Sequence, residues 1–167
     1  PEEDMPGIDY IIPNISYLED KTDWIKGVII THGHYDHIGG IPHLMGKLGN
    51  PPMFMGKLTA GLVRKRGQEF NKCPKLDIQE IDEISRMQLG KSFRVEILRV
   101  NHSIPDCFAV IIHTPVGTVI HTGDFKIDYS PVNDKPADLN RIAQLGGQGV
   151  LLLMSDSISA QLGIQAI

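Results

Sequence analysis

Apolar residues follow two different rhythms along this chain. Up to about residue 81, short apolar runs alternate with stretches at helical spacing. Residues 8–12 and 26–31 read as strands, with a turn and one helical turn expected over 15–23. Ile38, Ile41, Leu44, Met45 and Leu48 predict a helix over 38–48, stopped by Gly49-Asn50-Pro51-Pro52. A short strand at 53–55 and a helix over 58–70, with Leu58, Leu62 and Val63 inward, follow. Residues 76–81 alternate weakly. From Ser92 the period becomes two: Phe93, Val95 and Ile97 are apolar, then Leu98 and Val100 continue one residue out of phase. That shift predicts a bulge near Ile97-Leu98. Two further strands, 107–114 and 118–122, flank the turn residues Pro115-Val116-Gly117. A helix over 138–145 stopped by Gly146-Gly147, and an apolar strand over 150–154, complete the pattern. Strands with connecting helices followed by a meander predict an α/β fold of layered, mixed sheets with outer helices.

Composition narrows the classes. The 167 residues are enough for one core, and a net charge of −4 gives no global basic field for nucleic acid. Nucleic acid would have to be held locally or by metals. Cys73 and Cys107 are far apart, which fits a reduced compartment and a cytoplasmic location. No apolar run is long enough for a membrane span. The opening Pro1 and the closing residues 160–167 lead us to expect a segment of a longer protein.

The chemistry is concentrated after the 26–31 strand, in His32-Gly33-His34-Tyr35-Asp36-His37. Imidazole and carboxylate are the ligands of hydrolytic zinc sites. The competing reading is a histidine-rich surface loop. His102 and Asp124 argue against that reading, because each also follows the end of a predicted strand. Rigid strands can deliver such ligands to one edge. Gly33 and Gly123 beside them let the backbone pass close to an ion.

These residues, with Asn-His-Ser-Ile-Pro-Asp around His102 and His-Thr-Gly-Asp-Phe-Lys around Asp124, resemble the ribonuclease J family. That family is in the β-CASP branch of the metallo-β-lactamase superfamily. The opening Pro-Glu-Glu-Asp-Met-Pro-Gly-Ile-Asp, the Ile-Pro-Asn-Ile-Ser-Tyr-Leu segment and Met154-Ser155-Asp156-Ser157 are similar to it as well. The resemblance implies that residues 1–167 are part of a metallo-β-lactamase αββα sandwich, with the β-CASP domain and C-terminal parts lying elsewhere. It also implies that His32, His34 and His102 hold one zinc, that Asp36 and His37 hold a second, and that Asp124 bridges them. Catalysis would rest on Asp36, His102 and Asp124, with a hydroxide between the ions attacking RNA phosphodiesters as a 5′ to 3′ exonuclease and as an endonuclease. Manganese or magnesium could replace zinc. The expected partners are single-stranded RNA with a 5′-monophosphate and, for the full-length protein, further copies of itself. The family's further histidine ligand follows its β-CASP insertion, and no histidine follows Asp124 here.

Other residues carry two readings each. Arg64, Lys65 and Arg66 form the most basic stretch, either a solvated helix face or a phosphate contact. Lys126 is a surface lysine or a phosphate contact. His121 and Ser103 either pack locally or orient ligands. Asp106 is expected to shape the His102 loop. His43 and His113 are expected to be ordinary packing or surface residues. Competing functions are hydrolysis of a thioester, lactone or lactam, and non-catalytic zinc binding.

Overall fold

The computed structural model describes residues 6–8, 10–132 and 134–157. Residues 158–167, which include the closing stretch 160–167 noted above, lie outside them. Three parallel strands form the first sheet in the order β1 (Val28–Ile29), β2 (Met53–Met55), β3 (Ile78–Glu80). Parallel neighbours need crossover connections, and helices supply them here. α1 (Tyr35–Ile38) and α2 (Ile41–Leu44) join β1 to β2, and α3 (Lys57–Gln68) joins β2 to β3. Ile30, Met53 and Met55 are buried with Ile38, Ile41, Met45, Ala60 and Val63 from the helical side.

The second sheet runs β4 (Arg86–Leu89), β5 (Phe93–Arg99), β6 (Phe108–Thr114), β7 (Gly117–His121), β8 (Leu152–Met154). The first four strands are antiparallel, and β8 joins β7 in parallel after α4 (Leu139–Gln148). Alternation sorts the residues of β5 and β6 between two cores. Val95, Ile97, Phe108 and Val110 pack toward Ile29 and Ile81 of the first sheet's segments. Leu98, Ala109 and Ile111 pack with Ile120 and with Leu145 of α4. The layers are therefore helices, sheet, sheet and helix, an αββα sandwich.

Several expectations are corrected. No bulge interrupts β5, whose pairing with β6 is continuous from Arg94↔His113 to Arg99↔Phe108. The apolar phase shifts because the strand is covered on both faces, so that Val95, Glu96, Ile97 and Leu98 are all buried. Residues 10–12 form no strand. The 26–31 strand pairs only at Val28–Ile29. The 38–48 helix is broken into α1 and α2 at Gly39-Gly40, and Pro42 stands in the first turn of α2, where its missing N–H costs nothing. α3 buries Thr59, Ala60 and Val63, while Leu58 and Leu62 are exposed. α4 runs through Gly146-Gly147 to Gln148 and ends at Gly149, whose φ of +86° suits a residue without Cβ. β8 is apolar yet exposed, since it is an edge strand with one neighbour. β4 was not foreseen, because its Arg86, Met87, Gln88 and Leu89 alternate for only four residues.

Candidate metal centre

The candidate ligands arrive from three strand ends. β1 leads into Thr31 and His32, and the Phe108 N–H donates to the Thr31 carbonyl at 3.0 Å, tying the first sheet to β6. His102 follows β5, and Asp124 follows β7 through Gly123. Gly123 has a φ of +60°, and a Cβ there would meet the Phe108 carbonyl oxygen at 2.8 Å. At Gly33 a Cβ would meet Leu62 Cδ1 at 2.6 Å. The Gly123 turn has no room for a side chain, whereas at Gly33 the exposed Leu62 would have to swing aside.

One atom from each of His32, His34, His102 and Asp124 lies within 4.8 Å of the others. His34 Nδ1 stands 3.1 Å from His32 Nε2 and 3.1 Å from His102 Nε2. Asp124 Oδ2 is 3.8 Å from His32 Nε2, 3.6 Å from His102 Nε2 and 3.4 Å from His37 Nε2. Tetrahedral zinc, with ligand bonds of about 2.0–2.1 Å, holds its ligand atoms roughly 3.3 Å apart. Three imidazoles and a carboxylate at this spacing fit a metal ion. Asp36 adjoins the group through His37 Nε2, 3.4 Å from its Oδ2. The fold and this cluster together make the chain a metal-binding one.

Burial prepares the nitrogens for that task. His32 is fully buried, and loss of hydration, then the neighbouring His37, lowers its pKa to about 4. His102 is lowered by burial and then by His34. A neutral imidazole offers the lone pair that a metal requires. Thr31 Oγ1 is 3.0 Å from His32 Nδ1, leaving Nε2 to face the cluster. Ser103 Oγ lies 3.5 Å from His34 Nε2, at the limit of a hydrogen bond.

The His102 loop has an anchor the sequence did not reveal. Asp106 accepts a 2.9 Å hydrogen bond from the Leu58 N–H at the start of α3, across 48 residues of sequence. Burial pushes its carboxyl pKa up, against the effect of the Leu58 and Thr59 amides. Gly56 makes room, since a Cβ there would collide with that carboxylate. The expectation that Asp106 shapes its loop is met by a long-range helix cap instead of a local bond.

The predicted basic residues separate. Arg64 pairs with Glu80 at 2.8 Å, and Lys65 is exposed. Arg66 pairs with Glu69 at 2.6 Å and borders a cavity beside Asp36 and His37. Lys126 pairs with Asp128 at 3.0 Å. His121 accepts from the Gly123 N–H at 3.0 Å through Nδ1, within the turn that carries Asp124.

The layered fold and the strand-end cluster define a metallo-β-lactamase-type domain. The Beta-lactamase superfamily domain matches residues 6–142, and the chain belongs to that superfamily. It is 44% identical to Ribonuclease J of Thermus thermophilus over 166 residues, covering 96% of this chain and 29% of that protein. It is 46% identical to Ribonuclease J 1 of Streptococcus pyogenes over 162 residues, covering 97% of this chain and 28% of that protein. Ribonuclease J2 of Bacillus subtilis is 40% identical over 161 residues, covering 96% of this chain and 29% of that protein. The chain thus spans less than a third of the length of these relatives. Among solved structures, a protein of unknown function from Enterococcus faecalis V583 shares the fold with a TM-score of 0.58 and 20% identity, covering 84% of this chain and 33% of that one. The flavodiiron protein from Giardia intestinalis does so with a TM-score of 0.51 and 18% identity, covering 74% and 30%.

Proposed function

We propose that this chain is the metal-holding part of a longer ribonuclease J-like enzyme that hydrolyses RNA phosphodiester bonds. The observation that carries the reading is the convergence of His32, His34, His102 and Asp124 on one point. The similarity to three proteins named Ribonuclease J directs that chemistry toward RNA. In this proposal His32, His34 and His102 hold a first zinc ion, Asp36 and His37 contribute to a second, and Asp124 serves both. Manganese is the alternative ion, since nitrogen and oxygen donors suit either. Bound ions of this type activate water at neutral pH and offset charge on a phosphodiester.

The chain's own residues do the positioning. Burial holds His32 neutral, and Thr31 sets which of its nitrogens faces the cluster. The Asp106 cap fixes the His102 loop to α3. His121 holds the Gly123 amide and so the turn that presents Asp124. The finer proposal is a 5′ to 3′ exonuclease and endonuclease acting on single-stranded, 5′-monophosphorylated RNA, as a homo-oligomer in the cytoplasm. The unpaired thiols Cys73 and Cys107 support a reducing compartment. Among the described residues no helix is long and apolar enough to cross a membrane.

The test is cleavage of single-stranded RNA by the full-length protein before and after chelation. Chelation should abolish cleavage and added zinc or manganese should restore it. Thioester or lactam hydrolysis without RNA cleavage would replace this reading with another hydrolase of the superfamily.

A further inference from the structure

Tyr10, His43, Phe70, Arg66 and Tyr35 line the cavity beside the metal loop as one connected series of contacts. Tyr10 stacks on His43 with centroids 4.1 Å apart and planes 25° apart. His43 meets Phe70 edge to face at 4.7 Å. The Arg66 guanidinium lies 4.3 Å from the Phe70 centroid and 4.6 Å from the Tyr35 centroid. Tyr35 ends the series, directly between His34 and Asp36 in the chain. Asp36 and His37 border the same cavity, of about 760 Å³.

Two features of Tyr35 point to a ligand instead of to packing. Its ring is braced by Arg66, yet the residue is 62% exposed. Among the described residues, Arg66 is also the one lysine or arginine lining this cavity, held by its ion pair with Glu69. A fixed, open aromatic plane with a cation behind it is the chemistry that takes an unpaired nucleobase. A nucleobase there would lie beside the residues proposed to hold the second ion.

We propose that Tyr35 is a positioning residue for RNA, its ring stacking an unpaired nucleobase next to the scissile phosphate while Arg66 braces the ring from behind. The proposal rests on the ribonuclease reading. Stacking uses the π-face every base has, so it sets the register of the strand on the ions without selecting a sequence. Tyr35→Phe retains the plane; Tyr35→Ala removes it.

The experiment uses the full-length protein and a short single-stranded RNA carrying 2-aminopurine near its 5′ end. With the metal-free protein, binding should quench the 2-aminopurine fluorescence, equally in wild type and Tyr35→Phe. Tyr35→Ala should bind roughly five- to a hundred-fold more weakly and lose the quenching. With the metal-loaded protein, Tyr35→Ala should raise KM for RNA by a similar factor and change kcat less. An RNA abasic at the probed position should make wild type and Tyr35→Ala alike. If wild type cleaves RNA and Tyr35→Ala matches it in affinity, quenching and KM, the stacking role is wrong while the ribonuclease reading stands. If wild type cleaves no RNA, the ribonuclease reading fails first.

Discussion

Strand β5 carries one polar cluster in its interior and delivers another beyond its end, and the two are built on opposite principles. In the interior, Glu96 is buried beneath α4 and its one carboxylate is enclosed by donors from three residues. Arg141 grips it with Nε at 2.7 Å and Nη2 at 2.8 Å, Arg86 adds a bond of 2.9 Å, and His113 stands 3.5 Å away. These donors, Arg141 first, hold the Glu96 carboxyl below the usual range. Beyond the strand, four imidazoles crowd around Asp124 at 3.4–3.8 Å or around one another at 3.1 Å. Ring nitrogens and one carboxylate oxygen converge there on a common point at the spacing of metal ligands. A carboxylate enclosed by cationic donors stabilises the fold; donor atoms gathered on one point make a site for a cation.

The comparison is broken most directly by exchanging damage between the clusters. Asp124→Ala in the metal-loaded full-length protein should lower RNA cleavage by on the order of a thousand-fold, because it removes a ligand proposed for both ions. Its effect on folding in the metal-free state should be small. Steady-state cleavage and chemical denaturation, run side by side, decide this. Glu96→Ala should do the reverse, costing roughly 3 kcal/mol of stability by removing the charged hydrogen bonds that tie α4 to β5, with metal content per chain unchanged. Loss of metal without loss of stability in Glu96→Ala would erase the distinction.

Acid should separate the two clusters by pH window. Unfolded His32 titrates near 6.5, whereas the buried residue stays neutral to about 4. Between those values the unfolded chain binds the extra proton, so stability of the metal-free protein should rise with pH and level off above 6.5. The gain should approach roughly 3 kcal/mol. His32→Gln should flatten that rise in urea titrations. Glu96 has a lowered pKa, so its contribution is present above the unfolded value of 4.5 and is lost as pH falls through its folded value. Its loss therefore belongs to more acidic solution than the onset of the histidine effect.

How far the sequence revealed these clusters follows from where their residues sit. The metal edge was legible because His32, His34, Asp36 and His37 are local, and because His102 and Asp124 each sit just past an apolar run. Glu96 alternates with the apolar Val95 and Ile97, a pattern that on its own places it on an outward face. Only the packing of α4 over β5 shows that this face is covered, and no local period encodes a partner 45 residues away. The expected bulge failed for the same reason, since burial on both faces mimics a register shift. Gly39-Gly40 and Pro42 broke a helix whose apolar spacing was continuous, because backbone chemistry outweighed pattern there.

A smaller effect tests how the two halves of β5's neighbourhood communicate. Asp106→Ala should cost about 1–2 kcal/mol by uncapping α3, and it should weaken metal binding by loosening the His102 loop. Zinc affinity by competition with a chelating dye would read the second effect apart from the first. Unchanged affinity would mean that the loop keeps its place without the cap.

His32, His34, His102 and Asp124 are proposed to form the tighter of the metal sites in this chain. Zinc titration of the 167-residue chain, followed by X-ray absorption at the zinc edge at one equivalent, tests it directly. One tight ion with nitrogen and oxygen ligands at about 2.0–2.2 Å, mostly imidazole, and a weaker second ion are expected. Removing His34 should abolish the tight site. Sulfur in the first coordination sphere, or a tight ion that survives His34→Ala, would contradict it.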